Sequence, residues 1–107
     1  MLRDIINKIK TLEIHEERSI ADEYCEVVFK NCDVAKWTGM LAELLGQPVK
    51  PVGKKPTPED LKATKDFSGI YVNQTLYKKE IGGVTVIAML WPWGNGELTT
   101  LKLAVLQ

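Results

Sequence analysis

Residues 70–106 hold the stretch that decides the fold: "IYVNQTLYKKEI" over 70–81, then Gly82-Gly83, "VTVIAMLW" over 84–91, "PWGNG" over 92–96 and "ELTTLKLAVL" over 97–106. The three longer segments are rich in β-branched and aromatic residues, and each is bounded by turn formers, so they read as three strands joined by two hairpins. Gly82-Gly83 suits a two-residue turn that needs positive φ, and Asn95-Gly96 suits a second tight turn.

That turn sets a register. Tyr77 then opposes Ala88, Thr75 opposes Leu90, and Gln74 opposes Trp91. One face collects Tyr71, Tyr77, Val84, Val86, Ala88 and Leu90, and the other collects Val72, Gln74, Leu76, Ile87, Met89 and Trp91. An even second loop adds Leu101, Leu103 and Val105 to the first face and Thr100, Lys102 and Ala104 to the second. The first face is uniformly apolar and is expected under a helix. The second mixes apolar with polar side chains and needs a cover, because large exposed apolar patches are uncommon on monomers. Three covers are expected as alternatives: the N-terminal helix, a second copy of the chain, or another partner.

Upstream, Leu2, Ile5, Ile6, Ile9 and Leu12 recur at helical spacing and predict an amphipathic helix over the first dozen residues. "EIHEERSIADE" (13–23) is acidic without a period and reads as a connection. "EYCEVVFK" (23–30) reads as a strand with Cys25, Val27 and Phe29 on one face. Asp33 is placed to cap a second helix marked by Val34, Trp37, Leu41, Leu44 and Leu45 and stopped by Gly46. Gly39 inside it costs about 1 kcal/mol relative to alanine, which points to a close backbone neighbour. Prolines and Gly53 break up residues 47–66, where Thr57-Pro58-Glu59-Asp60 reads as a cap followed by proline at the first helical position. The order αβαβββ predicts an α+β two-layer sandwich, with helices packed on a four-stranded, mainly antiparallel sheet, in a single domain over 1–107.

Composition narrows the function classes. At 107 residues, with 14 basic and 14 acidic side chains, the chain has no net charge, which argues against a nucleic-acid partner. No apolar stretch nears the length of a membrane span, and "MLRDIINKIK" lacks the apolar core of a signal peptide, so a cytoplasmic protein without a membrane partner is expected. Cys25 and Cys32 are seven residues apart; extended chain would separate them by roughly 23 Å, far beyond disulfide reach, so both are expected as free thiols. They also lack the further ligands of a zinc site, and no metal or cofactor is expected.

Trp91 and Trp93 flank Pro92 ahead of the turn. Aromatic rings with a polar edge favour interfaces and ligand pockets, while the alternative is Trp91 packed in a core and Trp93 shielding the hairpin. Cys32 ahead of a helix N-terminus has the position of an activated thiol, but its only base would be His15, in an acidic segment. No nucleophile, base and orienting group can be assembled, and no catalytic residue is assigned. The leading expectation is a small interaction domain, a homodimer or a binder of another protein, using Trp91, Trp93, Met89, Ile87, Leu76, Val72 and Gln74. The alternative is a small-ligand or anion site between the sheet and loop 47–66, with Lys50, Lys54 and Lys55 as its anion contacts.

Overall fold

The computed structural model describes residues 2–106. Helices are α1 (Leu2–Ile9), α2 (Val34–Leu45) and α3 (Pro58–Thr64), and strands are β1 (Glu16–Ile20), β2 (Tyr24–Lys30), β3 (Thr75–Ile81), β4 (Val84–Pro92) and β5 (Leu98–Leu106). Short 3-10 turns lie at Asn31–Asp33 and Lys65–Phe67. Gly82 and Gly83 take φ of 59° and 85°, the pair of positive values that a two-residue hairpin with the right twist demands. Thr75 pairs with Leu90 and Tyr77 with Ala88, the register that this turn dictates. Across the second hairpin Trp91 pairs with Thr100 and Leu90 with Leu101, so the face assignments carry over into β5.

The sheet is antiparallel in every pairing and ordered β1-β2-β5-β4-β3. It has five strands where the sequence pattern gives four. The extra strand is β1, "EERSI", four of whose five residues are exposed. An edge strand with one half-buried apolar residue, Ile20, has no hydrophobic alternation to read, and its charges deter pairing with other chains. In the other direction β3 starts at Thr75, not near residue 70. The Gln74 side chain accepts from the Tyr71 N–H and the Gln74 N–H donates to the Tyr71 carbonyl, closing residues 71–74 into a turn that keeps Tyr71 and Val72 out of the sheet.

The uniformly apolar face carries the main core. Cys25, Val27, Phe29, Tyr77, Val86, Ala88, Leu90, Leu101, Leu103 and Val105 pack there against Leu2, Ile5, Ile6 and Ile9 of α1 and Trp37, Leu41 and Leu45 of α2. Phe29 and Trp37 stack with centroids 4.7 Å apart and planes 9° from parallel. An eight-residue helix is marginal in isolation, so α1 depends on burying its four apolar side chains, worth roughly 2 kcal/mol each. Gly39 has no neighbour within 4 Å of where a β-carbon would stand. The close approach expected there is absent, because the buried stripe of α2 runs through Trp37, Leu41 and Leu45 and Gly39 is exposed.

The mixed face is not covered by α1, which packs on the uniformly apolar face. Ile70 packs on Leu76, Ile87, Met89 and Ala104, with Phe67, Tyr24, Trp91 and Leu106 around them. The segment between α2 and β3 thus folds back over the sheet and makes a partial third layer. Its α3 is fixed by a capping box, in which the Asp60 N–H donates to Thr57 Oγ1 at 3.1 Å and the Thr57 N–H donates to Asp60 Oδ2 at 2.9 Å.

Candidate functional site

The covering segment reaches across only part of the mixed face. Leu76, Ile87 and Met89 are fully buried beneath it, and Gln74 is buried in its turn. Val72 is exposed but off the sheet. Trp91 and Trp93 stay half-buried at the border, and beyond them, toward β1, lies an open surface carrying Arg18, Tyr24 and Glu26.

That surface is internally organised. Arg18 is the extra residue of a bulge in β1, where pairing passes from Glu17–Val27 to Ser19–Glu26. Bulges re-aim side chains, and this one gives the guanidinium three neighbours. Nε donates to Glu16 Oε2 at 3.1 Å, Nη1 lies 3.6 Å from Glu26 Oε2, and Cζ stands 5.3 Å from the Trp93 ring centroid. The Trp93 indole N–H donates to Thr100 Oγ1 at 2.8 Å, which fixes the ring beneath the arginine. On the inner side Lys102 Nζ lies 3.6 Å from the Trp91 ring centroid and 3.4 Å from the Phe67 carbonyl. Burial pushes the Lys102 ammonium below the usual lysine range, against the opposing pull of Glu26. The Tyr24 hydroxyl donates to Glu26 Oε1 at 2.6 Å, and its ring stacks on Phe67 at 5.7 Å. Burial, then that hydrogen bond, then the Glu26 charge all raise the Tyr24 phenol well above its ordinary value. The Trp91 indole N–H is buried with no acceptor among the described residues.

The lysines expected as anion contacts divide. Lys54 and Lys55 are exposed, but Lys50 is 1% exposed and its ammonium donates to the carbonyls of Pro51 (3.1 Å), Val72 (3.0 Å) and Gln74. The Lys50 backbone also pairs in both directions with Leu76, so this residue stitches the covering segment to β3. Its side chain is engaged inside the protein.

A cleft of about 770 Å³ opens between α3 and the β3–β5 end of the sheet, with Lys62, Lys65, Lys78, Glu59, Asp66, Phe67, Thr85 and Leu106 among its walls. Lys62 and Lys65 belong to the lysine-rich stretch that the sequence offers for anions, whereas Lys78 is not pointed to by any pattern. Lys78 reads as an ordinary exposed strand residue until α3 is laid across from it. A second cavity of about 560 Å³ is lined by His15, Cys32, Lys30, Asn31 and Glu97. It brings His15 and Cys32 to one surface. Cys32 is an exposed free thiol and Cys25 a buried one. Among the described residues no three His, Cys, Asp or Glu side chains converge to hold a metal. The hairpin tip beside this cavity is held by backbone needs: the Glu97 N–H donates to Asn95 Oδ1, the Asn31 N–H donates to the Glu97 carbonyl, and Thr99 Oγ1 donates to Asn31 Oδ1.

No described helix is long and apolar enough to cross a membrane. No protein-family model, curated protein or solved structure matches the chain.

Proposed function

We propose that the chain is a small interaction domain that self-associates through the open part of the mixed face, with Trp93 and Arg18 at its centre and Trp91, Tyr24 and Glu26 around them. The observation that carries this reading is the Trp93–Arg18 pair, an indole fixed by Thr100 and roofed by a guanidinium held on two carboxylates. Trp, Tyr and Arg are the residues that most often dominate binding energy, and side chains already held in place lose little freedom on docking. A two-fold interface must complement itself. This surface does so in charge, because Arg18 lies beside Glu16 and Glu26 and can meet the carboxylates of a second copy. Leu76, Ile87 and Met89 contribute support from below and no contact area.

The test is the mass in solution. A species near twice 12.0 kDa is expected, with the Trp93→Ala, Arg18→Ala double variant dissociating at least about tenfold more readily, the loss typical of a modest hot spot. Trp93 is the better probe than Trp91, whose ring also supports the Ile70 cluster. A wild-type chain that stays at 12.0 kDa up to millimolar concentration would refute self-association.

A further inference from the structure

The cleft between α3 and the sheet has a form that the interaction reading does not use. Its walls come from elements far apart in sequence. Lys62 and Lys65 lie on the α3 side and Lys78 on β3, while Phe67 and Leu106 offer apolar surface and Thr85 a hydroxyl. The ion pairs within 4.0 Å among the described residues are Arg3–Asp22, Arg18–Glu16, Arg18–Glu26, Lys30–Glu13 and Lys36–Asp33. None engages a lysine of the cleft, although Glu59 and Asp66 line the same walls. Three ammonium groups against two carboxylates leave the cleft net positive in a chain whose total charge is zero. The walls are also held in place. The capping box anchors the start of α3, the buried Thr64 hydroxyl donates to the Asp60 carbonyl at 2.9 Å, and Phe67 is stacked on Tyr24. A volume of about 770 Å³ lies in the range of small-molecule sites, which are mostly apolar concavities with a few convergent polar groups formed before the ligand arrives.

We propose that this cleft binds a small amphipathic anion, an apolar body with a single carboxylate, sulfonate or phosphate head. The body lies on Phe67 and Leu106, and the head is held among Lys62, Lys65 and Lys78. A plain inorganic anion would leave the apolar walls in water, and a neutral apolar ligand would leave the lysines unanswered, so both parts of the ligand are required. Glu59 and Asp66 set the limit on charge: they repel a second anionic group and select a monoanion over a dianion.

Fluorescence titration with anilinonaphthalene sulfonate, an amphipathic monoanion, tests this against its neutral counterpart N-phenylnaphthylamine. Saturable binding of the sulfonate, displaced by decanoate, is expected, with much weaker binding of the neutral compound. Replacing Lys62, Lys65 and Lys78 together by alanine should weaken the sulfonate about tenfold, as the sum of three exposed charge contacts. Lys62→Ala and Lys78→Ala singly should each weaken it, because they stand on opposite walls and share a ligand only across the cleft. Lys54→Ala with Lys55→Ala is the control of equal charge change outside the cleft. Equal affinity for the neutral compound, or a loss in the control matching that of the cleft lysines, would overturn the assignment, as would wild-type affinity in the triple variant. The readout is independent of dimer formation, since none of these lysines lies among Arg18, Trp93 and their neighbours.

Discussion

Lys50→Met isolates the contribution of one buried ammonium to the whole covering layer. Methionine keeps most of the apolar stem and removes the donors. Three carbonyls lose the ammonium, but two of them keep a backbone donor, the Lys54 N–H on Pro51 and the Gly53 N–H on Val72. Pro51 and Val72 are exposed residues whose carbonyls can turn to water, whereas Gln74 is 8% exposed and its carbonyl is left stranded. A stranded buried acceptor costs about 1–3 kcal/mol. Against this, the variant no longer desolvates a charge, a cost visible in the downward push that burial exerts on the Lys50 ammonium and that Asp60 only partly opposes. The net expectation is a loss of about 2 kcal/mol, the middle of that range. In urea the midpoint should fall by about 1 M with an unchanged slope, given slopes of roughly 1–3 kcal/mol/M for domains of this size. Amide exchange supplies the local readout: the Val49 and Leu76 N–H groups, which bond across this stitch, should exchange faster in the variant. An unchanged or raised midpoint would refute the reasoning, because it would mean that desolvating the ammonium outweighs the three bonds it makes.

Two further outcomes are expected. The Tyr24 phenol is raised above its unfolded value of 10.0, so its contribution is fully present below pH 10 and is lost as pH rises beyond it; the stability advantage of wild type over Tyr24→Phe should shrink by up to about 1.4 kcal/mol per pH unit above pH 10. Lys50 and Lys102, pushed down by burial, act with the opposite sign but are common to both proteins and cancel in that difference, and a gap independent of pH in urea titrations would sink the claim. Gly39→Ala should raise stability by about 0.5–1 kcal/mol in thermal or urea unfolding, because the position is helical, exposed and free of neighbours; a destabilised variant would show that α2 needs the glycine after all.

The parts of the fold legible in the sequence are those governed by local periodicity. Gly82-Gly83 fixes a turn, the turn fixes a register, and a period of two then assigns Tyr77, Val86, Ala88, Leu90, Leu101, Leu103 and Val105 to one face without any tertiary information. The helix at 34–45 and the capped turn at Thr57 follow from equally local rules, except that Asp33, expected as the cap of that helix, makes no side-chain capping bond and ends a 3-10 turn instead. β1 is illegible because "EERSI" packs a single apolar side chain, Ile20, against the core, so its strand character comes mainly from pairing with β2. The cover over the mixed face was illegible for a different reason. It depends on a lysine going inside, against the strong tendency of lysine to stay in water, and the three carbonyls that make this tolerable come from residues 51, 72 and 74, which no local pattern brings together. The cleft inherits that difficulty, since Lys62 and Lys78 become neighbours only once the segment is laid across the sheet.

The folding back of residues 47–74 has two consequences for the same sheet face. It buries Leu76, Ile87 and Met89, which leaves the Trp93–Arg18 side as the open part of that face, and it stands α3 off the sheet end, which opens the cleft. The two surfaces are physically continuous: Phe67 lines the cleft and stacks on Tyr24, Tyr24 donates to Glu26, and Glu26 pairs with Arg18 above Trp93. Continuity alone does not couple two sites, because coupling requires an element with two arrangements that both ligands bias. Here the intermediate residues form one set of contacts, Phe67 on Tyr24, Tyr24 on Glu26 and Glu26 on Arg18, which supplies no such two-state element. The proposed anion cleft and the proposed interface are therefore expected to act independently, each carried by its own set of charges.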